Sequence, residues 1–310
     1  GTGGAEPVAA PSCRSGEPGV EALCGPERIS SCCDSKLVPG GTFKRHFDGV
    51  VHTDDSYPAT VSSFLLDTYE VTVGRFRAFV DAGQGTQASA PDAGAGEHSK
   101  IPGSGWDGYW NDWLEEDTAA LRAALRCDPV LATWTDDVGP NEDLPMNCIK
   151  WAEAFAFCAW DRGRLPTLAE LNYAAAGGDE QREYPWGQGI DLDHVSYGCL
   201  GDGSPEGECA LSDIFPVGSK PMGAGRWGHQ DLAGGVKEFV RDWSGSMPVP
   251  CVDCAVVEEP TVAGYVYTQG GSYLEGAPRQ RVAAGGINRI SARYDLGVGF
   301  RCARNPPSTE

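Results

Sequence analysis

Four groups of residues in this 310-residue chain have types and spacings that bear on chemistry. Cys251-Val-Asp-Cys254 has the spacing of a redox dithiol. A reactive dithiol opens a helix whose N-terminus stabilises the thiolate, whereas Pro248 and Pro250 place this one in a loop, so a structural clip is expected. His229-x-Asp231, with His194 as a third ligand, has the outline of an iron facial triad. One such pair among five histidines is a weak signal, and a structural role is expected instead. Ser272 and Tyr273 have no neighbouring histidine to activate them and no Gly-x-Ser-x-Gly elbow, so packing is expected of Tyr273. Arg279, Arg281, Arg289 and Arg293 form the remaining group, suited either to pairing with surplus carboxylates or to gripping an anionic ligand bidentately.

The chain carries 24 lysines and arginines against 44 aspartates and glutamates, a net charge of −20. Such a surface repels phosphate backbones, which excludes nucleic acid as a partner. Twelve cysteines lack the paired CxxC or HxxxH spacing of a zinc site, and their even number predicts disulfides and an extracytoplasmic location. The adjacent Cys32 and Cys33 are expected to pair with Cys13 and Cys24 rather than with each other, because a vicinal bridge strains its ring. Cys127 with Cys148, Cys199 with Cys209, and Cys251 with Cys254 are expected as further bridges. No window of eighteen apolar residues occurs, so no transmembrane helix is expected. The tether-like GTGGAEPVAAPS is consistent with a removed export signal and with a lipid-anchored cysteine just before Gly1. That tail holds too few apolar residues to order on its own, and self-association through it is expected.

The elements that must position these residues are short. Residues 1–36 read as a linker and a cysteine-rich leader, 37–304 as the domain and 305–310 as a tail. With 42 glycines and 22 prolines, the chain predicts an irregular, loop-rich α+β fold. Thr60 to Asp67 reads as strand. Thr72 caps a helix that presents Phe76, Phe79 and Val80 on one face and stops at Gly83. Trp151, Ala154, Phe155, Cys158 and Ala159 mark a second helix, and Thr167 with Glu170 forms a capping box that starts a third. Residues 84–105 read as a surface loop, on their glycine, alanine, serine and proline content.

Four stretches together resemble the formylglycine-generating enzyme, or sulfatase-modifying factor, family. They are Val38-Pro-Gly-Gly-Thr-Phe43 with Asp67-Thr-Tyr-Glu-Val-Thr72; Trp151 through Arg164-Leu-Pro-Thr167 to Tyr184-Pro-Trp-Gly187; Asp231-Leu-Ala-Gly-Gly-Val-Lys-Glu-Phe239 with Asp242-Trp243; and Gly270-Gly-Ser-Tyr273 with Gly299-Phe-Arg-Cys302. The resemblance implies a single irregular domain related to the C-type-lectin fold, and a disulfide between Cys158 and Cys302. It also implies where chemistry is missing. Active members of the family bind copper through two cysteines after the GGS-aromatic segment and oxidise a substrate cysteine to formylglycine. Here those places fall at about Glu275 and Gln280, so copper is not expected. A family calcium site maps to Gly235, Val236 and Glu238. Glycine there removes one side-chain oxygen, leaving Glu238 and backbone carbonyls for a Ca2+ ion. A second family calcium loop maps to residues 196–213, where the Cys199–Cys209 bridge would replace the metal covalently.

The resulting expectation is a binding or assembly protein for a protein, small anion or saccharide ligand. The alternative is a diverged oxidoreductase or other protein-modifying enzyme working in the same groove through Glu275, Gln280, Ser272 and Arg281.

Overall fold

The computed structural model describes residues 10–14, 23–259, 264–291 and 295–306. Arg293, most of the N-terminal tail and the end of the C-terminal tail lie outside these residues. In chain order the strands are β1 (Leu23–Cys24), β2 (Ser30–Ser31), β3 (Ser35–Val38), β4 (Gly41–Lys44), β5 (Pro58–Val61), β6 (Phe64–Asp67), β7 (Lys237–Trp243), β8 (Cys251–Val252), β9 (Tyr265–Gln269), β10 (Gly286–Arg289), β11 (Val298–Gly299) and β12 (Ala303–Arg304). The α-helices are α1 (Val73–Asp81), α2 (Thr118–Leu125), α3 (Trp151–Trp160) and α4 (Leu168–Ala175). The longest strand sits in the sheet ordered β10-β9-β7-β11, and two smaller sheets run β12-β6-β3 and β4-β5-β8. This is the irregular α+β fold that the sequence predicts.

The helices form where caps and apolar spacing meet. Thr72 Oγ1 accepts the Arg75 N–H to start α1, and Thr167 and Glu170 close the expected capping box on α4. Both α1 and α3 are buried almost along their length. Phe76 stacks on Phe157 at 5.7 Å, and Trp151 packs on Trp110 and on Trp243 of β7 at 5.0 and 5.4 Å. Each such ring removes on the order of 150–250 Å2 from water. Helix α2, which the sequence reading passed over, is capped by Asp117 and buries Leu121 and Leu125.

Residues 84–105 form a surface loop, as read from the sequence, but one anchored on the core. The segment is a loop with exposed residues such as Asp92, Glu97 and Lys100, and its inner side is packed onto the core: Thr86, His98, Ile101 and Ser104 are buried. Its small residues permit close approach, since a Cβ on Gly96 would lie 3.1 Å from the Phe155 ring. Arg241 of β7 then ties it down, donating to the carbonyls of Ser104 and Gly103.

All twelve cysteines are in disulfides: Cys13–Cys33, Cys24–Cys32, Cys127–Cys148, Cys158–Cys302, Cys199–Cys209 and Cys251–Cys254. The Cys158–Cys302 bridge joins the end of α3 to the strand region that pairs with β6. Beside it lies a buried network. Arg75 donates to Asp67 (2.9 Å) and Asp161 (2.7 Å), and Arg304 pairs with the same two carboxylates. Ser12 of the leader enters this network, its N–H donating to Asp161 Oδ1 (2.9 Å) and its hydroxyl accepting from Arg75 Nε (3.1 Å). Burial pushes the Asp67 carboxyl up, but Arg304 and Arg75 outweigh it and hold it at about 2. Glu170 is likewise held at about 2, because the Arg164 fork overcomes its burial.

Candidate functional site

The loop after β9 carries three of the residues singled out in the sequence. Gly270 turns the chain at φ +78°, and Gly271 leaves room for Gln280, whose Oε1 would lie 2.5 Å from a Cβ there. Ser272, Glu275 and Gln280 come together as one knot. Gln280 Nε2 donates to the carbonyls of Ser272 and Glu275, both at 3.0 Å. Glu275 Oε2 accepts from the Ser272 N–H (3.2 Å) and hydroxyl (3.4 Å). Glu275 Oε1 lies 3.6 Å from Lys237 Nζ, which also pairs with Asp295 at 3.0 Å.

The Glu275 carboxylate, the Ser272 hydroxyl and Gln280 Nε2 are spent on holding the loop. Ser272 is only 1% exposed, so no substrate reaches its hydroxyl. Tyr273 is fully buried and its N–H donates to the Gly235 carbonyl. Its phenol is pushed well up, first by burial and then by nearby carboxylates. The Cys199–Cys209 loop buttresses the knot, with the N–H groups of Gly198 and Cys199 bonded to the carbonyls of Glu275 and Tyr273.

Arg281 does not join the other three. Its guanidinium pairs with Glu183 (2.7 Å) and Asp48 (3.4 Å) and covers the Tyr184 ring. Arg289 lies over Tyr265 and donates to its hydroxyl. Arginines close in sequence are therefore not one cluster in space. Arg279 is exposed and has no partner among the described residues.

The segment mapped to calcium is occupied by protein charge. Both Glu238 oxygens accept from Arg301, at 2.7–2.9 Å, and Arg301 also donates to the carbonyls of Asp67, Thr68, Gln230 and Asp231. Val236 gives its N–H to Glu70 Oε1 (2.9 Å), and a Cβ on Gly235 would lie 2.8 Å from that oxygen. A cation here would have to displace Arg301 from Glu238. Burial, with Asp231 and Glu238 nearby, pushes the Glu70 carboxyl well up. His229 is buried and held neutral at about 3 by burial and by Arg301 and Lys36. His194 pairs instead with Asp191 on the surface (2.6 Å). Among the described residues no group of histidine, cysteine or carboxylate is arranged to hold a metal.

Over the knot opens a cleft of about 510 Å3, lined by His46, Lys237, Met247, Tyr267, Glu275, Arg279, Ala283 and residues 285–287. It meets a second cleft of about 430 Å3 at His46 and Met247. Both volumes are in the range of ligand sites. Sequence reasoning found Glu275 and Arg279 but not His46, Met247 or Tyr267, which come from distant segments. Another cleft, of about 520 Å3 and lined by Asp112, Trp113, Lys150 and Arg289, shares no residue with these two.

Fold and site define a disulfide-stapled α+β cleft protein in which no cysteine is free. The profile of the sulfatase-modifying factor enzyme 1-like domain matches residues 21–306, and the chain belongs to that family. It is 28% identical to the formylglycine-generating enzyme of Mus musculus, over 86% of this chain and 73% of that one. It is 30% identical to the inactive C-alpha-formylglycine-generating enzyme 2 of Mus musculus, over 86% and 84%. Among solved structures, PvdO from Pseudomonas aeruginosa superposes with a TM-score of 0.58 at 21% identity, covering 88% of this chain and 94% of that one. At that identity it speaks to the fold alone.

Proposed function

We propose that this chain is an exported, non-catalytic member of its family that uses the cleft over Glu275 to bind a protein or small anionic ligand. The observation that carries this reading is the fate of the sulfur. Cu(I) chemistry needs soft thiolates, yet every cysteine is in a disulfide, and the two places that correspond to the family's copper ligands are a carboxylate and an amide spent on the loop's own hydrogen bonds. A relative whose name calls it inactive is as similar to this chain as one whose name does not. Export is proposed on the six bridges, which persist in oxidising compartments. A lipid-anchored N-terminus and self-association through residues 1–12 belong to the same proposal, tested by light scattering of the chain with and without them.

The direct test offers purified protein, copper and oxygen to a Cys-x-Pro-x-Arg peptide. No aldehyde mass shift above the protein-free control is expected. Aldehyde formation would overturn the reading in favour of a diverged oxidoreductase.

A further inference from the structure

The cleft over Glu275 is bounded by a strand edge. β10 lies at the end of its sheet, paired antiparallel to β9 on one side only. Gly286 and Ile287 of β10, with Gly285 before it, line the cleft, so the cleft reaches the start of that edge. Ile290 donates its N–H to the Gly264 carbonyl (2.9 Å). Antiparallel pairing alternates, which makes Gly286, Asn288 and Ile290 the residues facing β9 and turns the N–H and C=O of Ile287 and Arg289 outward. The Arg289 N–H is satisfied by the side chain of its neighbour, Asn288 Oδ1 (2.8 Å). At Ile287 none of the described residues outside the ladder takes the outward pair, and its side chain is 56% exposed. An outward N–H and C=O on one residue is the docking unit of an added antiparallel strand.

The side chains around this unit say what the strand should carry. Tyr267, opposite Ile287 in the ladder, shares its face, and Met247 lines the same cleft. Together they offer an apolar strip to alternate side chains of an extended segment. Charge selects the rest. The cleft is lined by two cations, Lys237 and Arg279, and one carboxylate, Glu275. Lys237 is already shared with Asp295, which leaves Arg279 as the cation without a partner among the described residues. His46 Nδ1 donates to the Ala283 carbonyl (3.3 Å) and the ring is kept neutral by burial, so it adds a polar contact but no charge.

We propose that the free edge of β10 takes an extended, carboxylate-bearing peptide segment as an added strand, pinned by the Ile287 backbone and read by Arg279. This rests on the reading of the cleft as a binding site and names its occupant. Against the repulsion of a chain of net charge −20, the unpaired Arg279 in the cleft is the local complement of a carboxylate.

The test uses the full chain and a short fluorescein-labelled peptide alternating valine with glutamate, followed by anisotropy. Three further probes have lysine in place of glutamate, or N-methyl groups on the odd or on the even residues. The glutamate peptide is expected to bind about tenfold or more tightly than the lysine one, and R279E to reverse that preference. One methylated set, not both, should lose about tenfold, because only alternate residues of a strand face the edge. The methylated peptides act on unmodified protein, so they keep the test sound if I287P, the matching protein variant, fails to fold. Equal binding of both methylated sets and the parent would sink strand addition while leaving the cleft as a binding site. No binding up to about 1 mM, or a stable dimer with the edge closed by a second copy, would also overturn it. Aldehyde formation from the sulfatase-type peptide sinks only the non-catalytic reading.

Discussion

The Arg75 network beside the Cys158–Cys302 bridge and the Ser272–Gln280 knot under the cleft are both buried and polar, yet they are finished differently. Around Arg75, two guanidiniums, two carboxylates and the leader's Ser12 are all matched. Around the knot, Gln280 Oε1, Gln269 Oε1, Thr268 Oγ1 and the Tyr273 hydroxyl are buried without a partner among the protein's described groups. Unmatched buried polar atoms cost free energy unless water or a ligand meets them. The contrast separates the part of the chain that holds the fold from the part that has room for another molecule.

The comparison breaks most visibly at the bridge. Removing it as C158A/C302A frees a 144-residue span, and the chain-entropy estimate gives a loss of about 5 kcal/mol in denaturant unfolding. A loss under about 1 kcal/mol would mean that the network alone carries the clamp. R75M comes next, at about 3–5 kcal/mol, because it strips buried carboxylates of one partner. An equal cost for Q280M would erase the distinction between the two regions; about 1–2 kcal/mol is expected there, from two lost hydrogen bonds, because the Ser272 and Glu275 carbonyls keep the N–H groups of Glu275 and Gly198.

Acid offers a smaller and graded test. Asp67 and Glu170 are held at about 2 in the fold, below their unfolded values. The stability they contribute is complete above about pH 5 and is lost as pH falls through 2, by about 2 kcal/mol for Asp67 and about 3 kcal/mol for Glu170. Asp242 runs the other way. Burial raises it to about 6, and the Leu168 and Val256 N–H groups and Arg241 only partly offset this. Its contribution is greatest below about pH 4 and is lost as pH rises to 6, so D242N should flatten that limb of a pH–stability curve. Smallest is R279A, within about 0.5 kcal/mol of the parent in unfolding. A larger change would show that Arg279 holds the fold rather than awaiting a ligand.

Much of the frame was legible because its signals are local. Thr72, Thr167 and Glu170 announce helix starts, and these caps form as read. Helix α2 had a signal too, Asp117 followed by Leu121 and Leu125 at i, i+4, inside an alanine-rich run. The loop 84–105 shows what small residues conceal, which is its anchoring on the core. Glycine and alanine suggest exposure in a sequence, but Gly96 is small because a ring passes over it. The cleft was half legible. Glu275 and Gln280 stand out only against a family motif, while His46, Met247 and Tyr267 follow no local period and meet only when sheets from different parts of the chain are assembled. Arg281 was grouped with Arg279 by proximity in sequence, yet it turns to Glu183 and Asp48.

The bridges differ in reach. Five close spans of 3 to 21 residues, and one closes 144. The short ones need only their neighbourhood to meet, with little loop entropy to overcome. Cys158 and Cys302 meet only once α3 and the strand after Gly299 lie side by side. In oxidative refolding the five short bridges are therefore expected to close first and Cys158–Cys302 last, its thiols open to alkylation until the domain has assembled.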